Sequence, residues 1–234
     1  MRKSGTESFG PGLFVAGTDT GVGKTVFTLR WLRFAAESGL SPRAFKPVAS
    51  GVEPVGGRLL NPDVAALADA QGRAPGEVNF VTWERPLAPL AAARLEGREP
   101  DPAPLLEWCR ARIAPDTAFE GVGGLYVPLA RGWHVLDLIC ELALPAVLVA
   151  RSGLGTVNHT LLSARALLES GTEVAGVVLS RENDPPDEAA VTGFDLLCRE
   201  LSPLPVLVLP RLSVGEPLQP PERETFERLA SALS

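Results

Sequence analysis

The sequence is poor in lysine, cysteine and histidine, and it has no long apolar run. Of the 22 basic residues only three are lysines, Lys3, Lys24 and Lys46; the rest are arginines. Acidic residues number 28, so the net charge is −6 and no general basic footprint exists for a nucleic acid. Cys109, Cys140 and Cys198 lack metal-like or redox-like spacing, and their odd number suits reduced thiols in a cytosolic protein, each filling a small buried apolar position. His134 and His159 are the only histidines, and neither has a partner at metal-ligand spacing. The longest apolar stretch, Leu142 to Ala150, contains Pro145 and covers about half of a membrane span. Met1 to Ser8 has basic residues but no apolar segment behind them, so it does not read as a secretion signal. The expectation is a soluble, cytoplasmic protein that engages neither membrane nor nucleic acid.

What is present fits one folded domain. Apolar residues make up 45% and charged residues 21%, ordinary values for a globular chain. Short apolar runs alternate with amphipathic stretches from end to end. Strands are predicted over Leu13–Ala16, Arg43–Pro47, Thr117–Glu120, Ala146–Ala150, Glu173–Leu179 and Pro205–Leu209. Helices are predicted from about Gly23 to Ser38 (with Gly39 as the stop), Asn61 to Ala70, Pro100 to Ala114, Val135 to Leu142, Thr156 to Ser170, Asp187 to Leu201 and Pro221 to Leu233. This rhythm predicts an α/β fold: a single-domain, mostly parallel sheet with helices on both faces. The domain is expected to occupy residues 13–234, preceded by a flexible extension over 1–12. Ligands of such sheets sit beyond the carboxyl ends of the strands, which directs attention to the turns there.

Gly17-Thr-Asp-Thr-Gly-Val-Gly-Lys-Thr25 follows a predicted strand and opens a predicted helix, the setting of a phosphate-binding loop, which makes the expected fold P-loop NTPase-like. The amides of Gly21, Val22 and Gly23 can turn inward on phosphate oxygens, Lys24 can reach the β- and γ-phosphates, and the Thr25 hydroxyl can meet Mg²⁺. Five residues rather than four separate Gly17 from Gly23, and Thr18 stands where the usual loop has its first glycine. Lys46 ends a strand and is fixed from behind by Pro47, while Ser50-Gly51 supply a hydroxyl and a tight turn. In so arginine-biased a chain, two lysines beside such turns suggest slim point charges meeting phosphate where a planar guanidinium would not fit. Glu120 closes another strand ahead of Gly121, Gly123 and Gly124, positioned for a metal held by Thr25. Asp63 is a second carboxylate candidate; on sequence alone it serves equally well as a favourable charge at a helix N-terminus.

Taken together, Gly17–Thr25, Lys-Pro-Val-Ala-Ser-Gly (46–51), Glu-Gly-Val-Gly-Gly (120–124) with Val-Pro-Leu (127–129), and Gly-Leu-Gly-Thr-Val-Asn-His (153–159) resemble the dethiobiotin synthetase family over about Leu13 to Leu212. The longer phosphate loop is the form that family uses. The resemblance implies a homodimeric ATP-dependent ligase of biotin biosynthesis. Its substrates would be 7,8-diaminononanoate, CO₂ and ATP, with Mg²⁺ as cofactor. One amine would capture CO₂ as a carbamate, the carbamate would take the γ-phosphoryl group, and the second amine would close a cyclic urea. By matched position, Lys24, Lys46 and Thr20 would be catalytic, with Thr20 and Ser50 donating hydrogen bonds near carbamate and phosphate. Thr25, Asp63 and Glu120 would hold Mg²⁺, Gly123 would line the nucleotide, and Asn158 of a second subunit would help bind the substrate carboxylate.

One position departs from the family pattern. Ser180, followed by Arg181, stands where an asparagine commonly pairs with adenine, so base contacts would rest on Ser180 and on backbone groups of Pro210, Arg211 and Leu212, with weak selection among nucleotides. Two other classes fit less well. A partner-switching ATPase of the ParA or MinD kind carries a lysine near the start of its loop, where this chain has Gly17, Thr18 and Asp19. A glutamine-dependent amide ligase needs a further glutaminase domain, for which 234 residues leave no room.

Overall fold

A computed structural model describes residues 9–181, 185–210 and 216–233. In chain order the first half contains β1 (Leu13–Gly17), α1 (Lys24–Glu37), β2 (Arg43–Phe45), β3 (Val48–Ser50), β4 (Glu53–Val55), β5 (Arg58–Leu60), α2 (Pro62–Ala70), α3 (Pro75–Val78), β6 (Val81–Trp83), α4 (Pro89–Leu95) and α5 (Pro102–Arg110). The second half contains β7 (Thr117–Glu120), β8 (Pro128–Ala130), β9 (Trp133–His134), α6 (Val135–Leu142), β10 (Ala146–Arg151), α7 (Thr156–Glu169), β11 (Val174–Ser180), α8 (Glu188–Glu200), β12 (Val206–Leu209) and α9 (Pro220–Leu233).

Six strands form one sheet in the order β12-β11-β10-β1-β7-β2, and every pair is parallel. Side chains alternate across it, as a two-residue period requires. Leu13 and Val15 of β1 pack with Phe27, Trp31 and Phe34 of α1 and Phe226 and Leu229 of α9. Phe14 and Ala16 face the other way, into a core shared with Leu105 of α5, Ile139 of α6, Leu167 of α7 and Leu197 of α8. A sheet buried on both faces has no polar side, which is why its strands read as unbroken apolar runs. Between α1 and α9 lies a fully buried ion pair: Arg30 Nε and Glu222 Oε1 are 2.5 Å apart, and the same guanidinium donates to the carbonyls of Glu216 and Pro217.

All six predicted strands and seven predicted helices are present, with ends shifted by a few residues. The strand expected over Arg43–Pro47 stops at Phe45, because Pro47 has no N–H to continue a ladder. The chain resumes as β3, paired with β6 in a separate two-stranded sheet. Within the expected extension over 1–12, residues 1–8 lie outside the described residues, and Phe9 stacks on Phe34 at 5.3 Å while its N–H donates to Asp116 Oδ1 at 2.8 Å. Of the cysteines, Cys109 is buried as expected and burial pushes its thiol up to about 12, but Cys198 is half-buried and Cys140 exposed. Among the described residues no helix is long and apolar enough to cross a membrane.

Candidate active site

The centre of the sheet is where the order reverses: β1 lies between β7 and β10, and the next strand in sequence, β2, lies beyond β7. Crevices form at the carboxyl ends of strands around such a point. The register then decides which residues meet there. Phe45 pairs with Phe119 and Val15 with Glu120, so Lys46 and Glu120 leave neighbouring strands side by side, next to the loop that follows β1.

That loop wraps around its own lysine. Gly23 caps α1 at φ 97°, and no side chain caps the helix, so its N-terminal amides face the crevice. Lys24 opens α1 and is almost fully buried, its ammonium donating to the carbonyls of Asp19 at 2.7 Å and Gly123 at 3.0 Å. A Cβ on Gly17 would lie 2.8 Å from that ammonium, so the lysine folds back only because residue 17 has no side chain. Burial, with the nearby Lys46 charge, lowers the Lys24 pKa to about 8.

Lys46 has different company. Its ammonium lies 2.6 Å from Glu120 Oε1 and 2.7 Å from Asp63 Oδ2. Burial alone would push its pKa down, but the two carboxylates outweigh it and the net shift is upward. Burial likewise opposes the charge on Asp63, yet Lys46 and the Thr25 hydroxyl hold that carboxyl below its usual range. Thr25 donates to Glu120 Oε1 at 2.7 Å. Glu120 is wholly buried, and its second oxygen, Oε2, is buried with no hydrogen-bond partner.

That orphaned oxygen tests the expected Mg²⁺. A hydroxyl and two carboxylates are hard oxygen donors of the kind Mg²⁺ takes, and a cation would satisfy an acceptor that is otherwise costly to bury. The residues therefore fit. Among the described residues no cluster of three or more acidic, histidine or cysteine side chains could hold a metal alone. Phosphate oxygens and water would have to complete the shell, as in a metal–nucleotide complex.

Most of the predicted residues line one cleft of about 360 Å³: Thr20, Gly21, Gly23, Lys24, Thr25, Lys46, Ser50, Asp63 and Gly123. Glu120 forms its floor through Lys46 and Thr25. Val22 does not face the cleft with its side chain, which is buried in the core under α1; only its amide is available to a ligand. Ser180 lies behind the loop, where a Cβ on Gly23 would come within 2.6 Å of its hydroxyl. Pro210 follows β12 and is half-buried, while Arg211 and Leu212 lie outside the described residues. Asn158 is exposed on the first turn of α7, away from the cleft lining of its own chain.

One site residue is not legible as such in the sequence. The sequence marks Asn61 only as the cap of α2, and its Oδ1 does accept from the Val64 amide at 3.2 Å. Its amide nitrogen also donates to the carbonyls of Ser50 and Gly51 at 3.1 and 2.9 Å, tying the Ser50 turn to the helix that carries Asp63. The available signal is the choice of asparagine, which caps as aspartate does and has two donors left over.

Comparison with known proteins places the chain in a family. The AAA domain family matches residues 11–214. The ATP-dependent dethiobiotin synthetase BioD of Anaeromyxobacter dehalogenans (strain 2CP-1) is 45% identical over 212 residues, covering 88% of this chain and 87% of the relative. The protein of the same name from Pseudomonas aeruginosa (strain UCBPP-PA14) is 40% identical over 213 residues, covering 88% and 92%. The chain belongs to the dethiobiotin synthetase family. Of the four segments that carried this resemblance, three converge in the cleft, and the fourth, 153–159, leads into α7 outside it. Solved structures are similar in fold alone. A variant of Cyanothece McdA in complex with ATP has a TM-score of 0.54 at 13% identity, covering 97% of each chain. MinD of Pyrococcus horikoshii complexed with Mg-ADP has 0.51 at 14%, covering 94% of this chain and 93% of that one.

Proposed function

We propose that the chain is an ATP-dependent dethiobiotin synthase, joining 7,8-diaminononanoate and CO₂ into a cyclic urea at the expense of ATP. One observation carries the proposal: in a member of the dethiobiotin synthetase family, two buried lysines, a hydroxyl and two carboxylates converge at the end of one phosphate loop.

In this reading the amides of Gly21 to Gly23 and the Lys24 ammonium hold the triphosphate, and Lys46 meets the charge that builds on the transferred phosphoryl group. Thr25, Asp63 and Glu120 would hold Mg²⁺, which when bound neutralises phosphate charge. An amine of the substrate adds to CO₂ and loses a proton, giving a carbamate. The carbamate oxygen then attacks the γ-phosphorus and ADP leaves. The second amine attacks the carbamate carbon and loses a proton, and phosphate departs as the ring closes. The protein does no covalent work; it positions three charged partners and stabilises charge that would otherwise keep them apart. Thr20 and Ser50 offer hydroxyls along the path, and both line the cleft.

A cytoplasmic homodimer belongs to the same reading, with Asn158 of one subunit serving the substrate of the other. Exposed Tyr126 and Leu162 support it, because they line a hollow with Thr18 and Asp19 of the phosphate loop, and Leu154 next to α7 is 93% exposed. The test supplies diaminononanoate, ¹³C-bicarbonate and MgATP. The expected result is one ¹³C ureido carbon and one phosphate per ring; phosphate release without ring formation would overturn the proposal.

A further inference from the structure

Lys46 holds the same two carboxylates that the proposed function assigns to a cation. Its ammonium bridges Asp63 Oδ2 and Glu120 Oε1, and Thr25 donates to that same Glu120 oxygen. Two carboxylates so close together repel one another unless a positive charge lies between them. Here that charge is Lys46. A divalent cation bound to nucleotide phosphates would bind the same two carboxylates, starting from the unpartnered Glu120 Oε2, and its double charge is repelled by an ammonium already seated between them.

We infer that Lys46 is the built-in counter-ion of the Asp63–Glu120 pair, and that it yields both carboxylates to the divalent cation arriving with the nucleotide, which frees its ammonium for the phosphate cleft. The backbone is prepared for such an exchange. The Lys46 N–H donates to the Val78 carbonyl at 2.8 Å, and its own carbonyl accepts from Asn79 Nδ2 at 2.7 Å. Pro47 then fixes the next φ. With the main chain tied on both sides, only the flexible four-carbon stem has to move, which a lysine can do and a rigid arginine fork cannot do as readily. The unpartnered Glu120 Oε2 shows that the ammonium satisfies the pair incompletely; a cation accepting more oxygen donors serves it better. Each cationic species thus arrives where the other leaves, and the cleft never holds two bare carboxylates.

The inference rests on the proposed nucleotide reading, and one experiment separates the two. The chain has only three lysines, so ε-¹³C-lysine labelling gives three NMR signals, assigned with Lys3→Arg and Lys24→Arg. A non-hydrolysable ATP analogue is added to the unaltered protein, first in EDTA and then with Mg²⁺. The expected result is that the Lys24 signal moves with metal-free nucleotide, while the Lys46 signal holds until Mg²⁺ is added. A Lys46 signal that responds fully in EDTA, or that ignores Mg²⁺, overturns the exchange while leaving nucleotide binding intact. A Lys24 signal indifferent to both additions overturns the nucleotide reading and the exchange with it. As a second measurement, nucleotide-free Lys46→Met should bind Mn²⁺ at least about tenfold more tightly than the unaltered protein, read by electron paramagnetic resonance. Equal affinities in a folded variant contradict the exchange, and if that variant does not fold the NMR result decides.

Discussion

Lys24 and Lys46 are both nearly excluded from solvent, at 6% and 3% exposure, yet their surroundings pull them in opposite directions. Lys24 is held by neutral carbonyls, which cannot repay the cost of burying a charge, and its pKa falls to about 8. Lys46 is held by two carboxylates, which more than offset that cost, and its pKa rises. The same residue type thus becomes two tools: a cation short of a counter-charge, ready for phosphate, and a cation already committed to one. Burial lowers the Lys24 value, and at Lys46 the two carboxylates reverse the same effect.

The largest effect should come from removing the committed cation. Lys46→Ala is expected to lower kcat by about 10³-fold, on the order of the loss of one preorganised charge donor, while nucleotide affinity changes by only a few fold. Turnover assays with parallel nucleotide titration read this, and an unchanged kcat would take Lys46 out of the chemistry. Lys24→Ala should instead weaken both, each by about 10²-fold, because its ammonium meets the nucleotide in the ground state as well. If affinity and rate survive that change, the assignment of Lys24 is wrong.

A pH experiment sharpens the contrast. Between about 8 and 10.5 the nucleotide-free protein has lost a Lys24 proton that an unfolded chain would keep. The unfolded state therefore binds more protons there, and the part of stability due to Lys24 rises with pH across that window. Lys46 behaves oppositely: its contribution is complete below the unfolded value of 10.5 and disappears as pH climbs through the raised folded value. Phosphate restores the Lys24 proton, so nucleotide binding at pH 8.5 should take up part of a proton and weaken as pH rises through about 8. Calorimetry in buffers of different ionisation enthalpy measures the uptake, and none at pH 8.5 would contradict the Lys24 shift.

Smaller effects test the parts around the two lysines. Asn61→Asp keeps the helix cap but faces carboxylate oxygens against the Ser50 and Gly51 carbonyls. It should raise the KM for the diamine by about tenfold, an effect of roughly 1.4 kcal/mol, with less change in the KM for ATP. Asn61→Ala, losing the cap as well, should cost about 1 kcal/mol more in stability by denaturant titration. Equal KM values for Asn61→Asp and the unaltered enzyme would confine Asn61 to capping. Last, Ser180 cannot make a two-point amide contact with adenine, so kcat/KM for ATP over CTP and GTP is expected to stay below about a thousandfold, roughly 4 kcal/mol. A larger ratio would place base selection elsewhere.

Legibility in the sequence followed the length of the local signal. The sheet strands and long helices were readable because buried parallel strands are apolar runs and helices show their own period. The segment from 48 to 95, apart from α2, was not: β3 to β6 are three residues each, α3 has four, and Gly56 and Gly57 turn a hairpin whose side chains are mostly exposed. Such elements are stabilised by what they pack on rather than by their own pattern. The phosphate loop was legible because nearly all its function lies in nine consecutive residues. Asn61 was legible only as a cap, because its second partners lie 10 and 11 residues away across a hairpin.

Sequence by itself determined the phosphate loop, the two lysines, the strand ends where chemistry sits, and the family to which they belong, because each is written in contiguous residues. Only the tertiary structure decided who neutralises whom. Lys46 and Glu120 are 74 residues apart and meet because β2 pairs with β7 in one register. Periodicity says which face a residue takes, but the choice of neighbouring strand is made by how whole faces pack, and that choice put two carboxylates on one lysine and left the other among carbonyls.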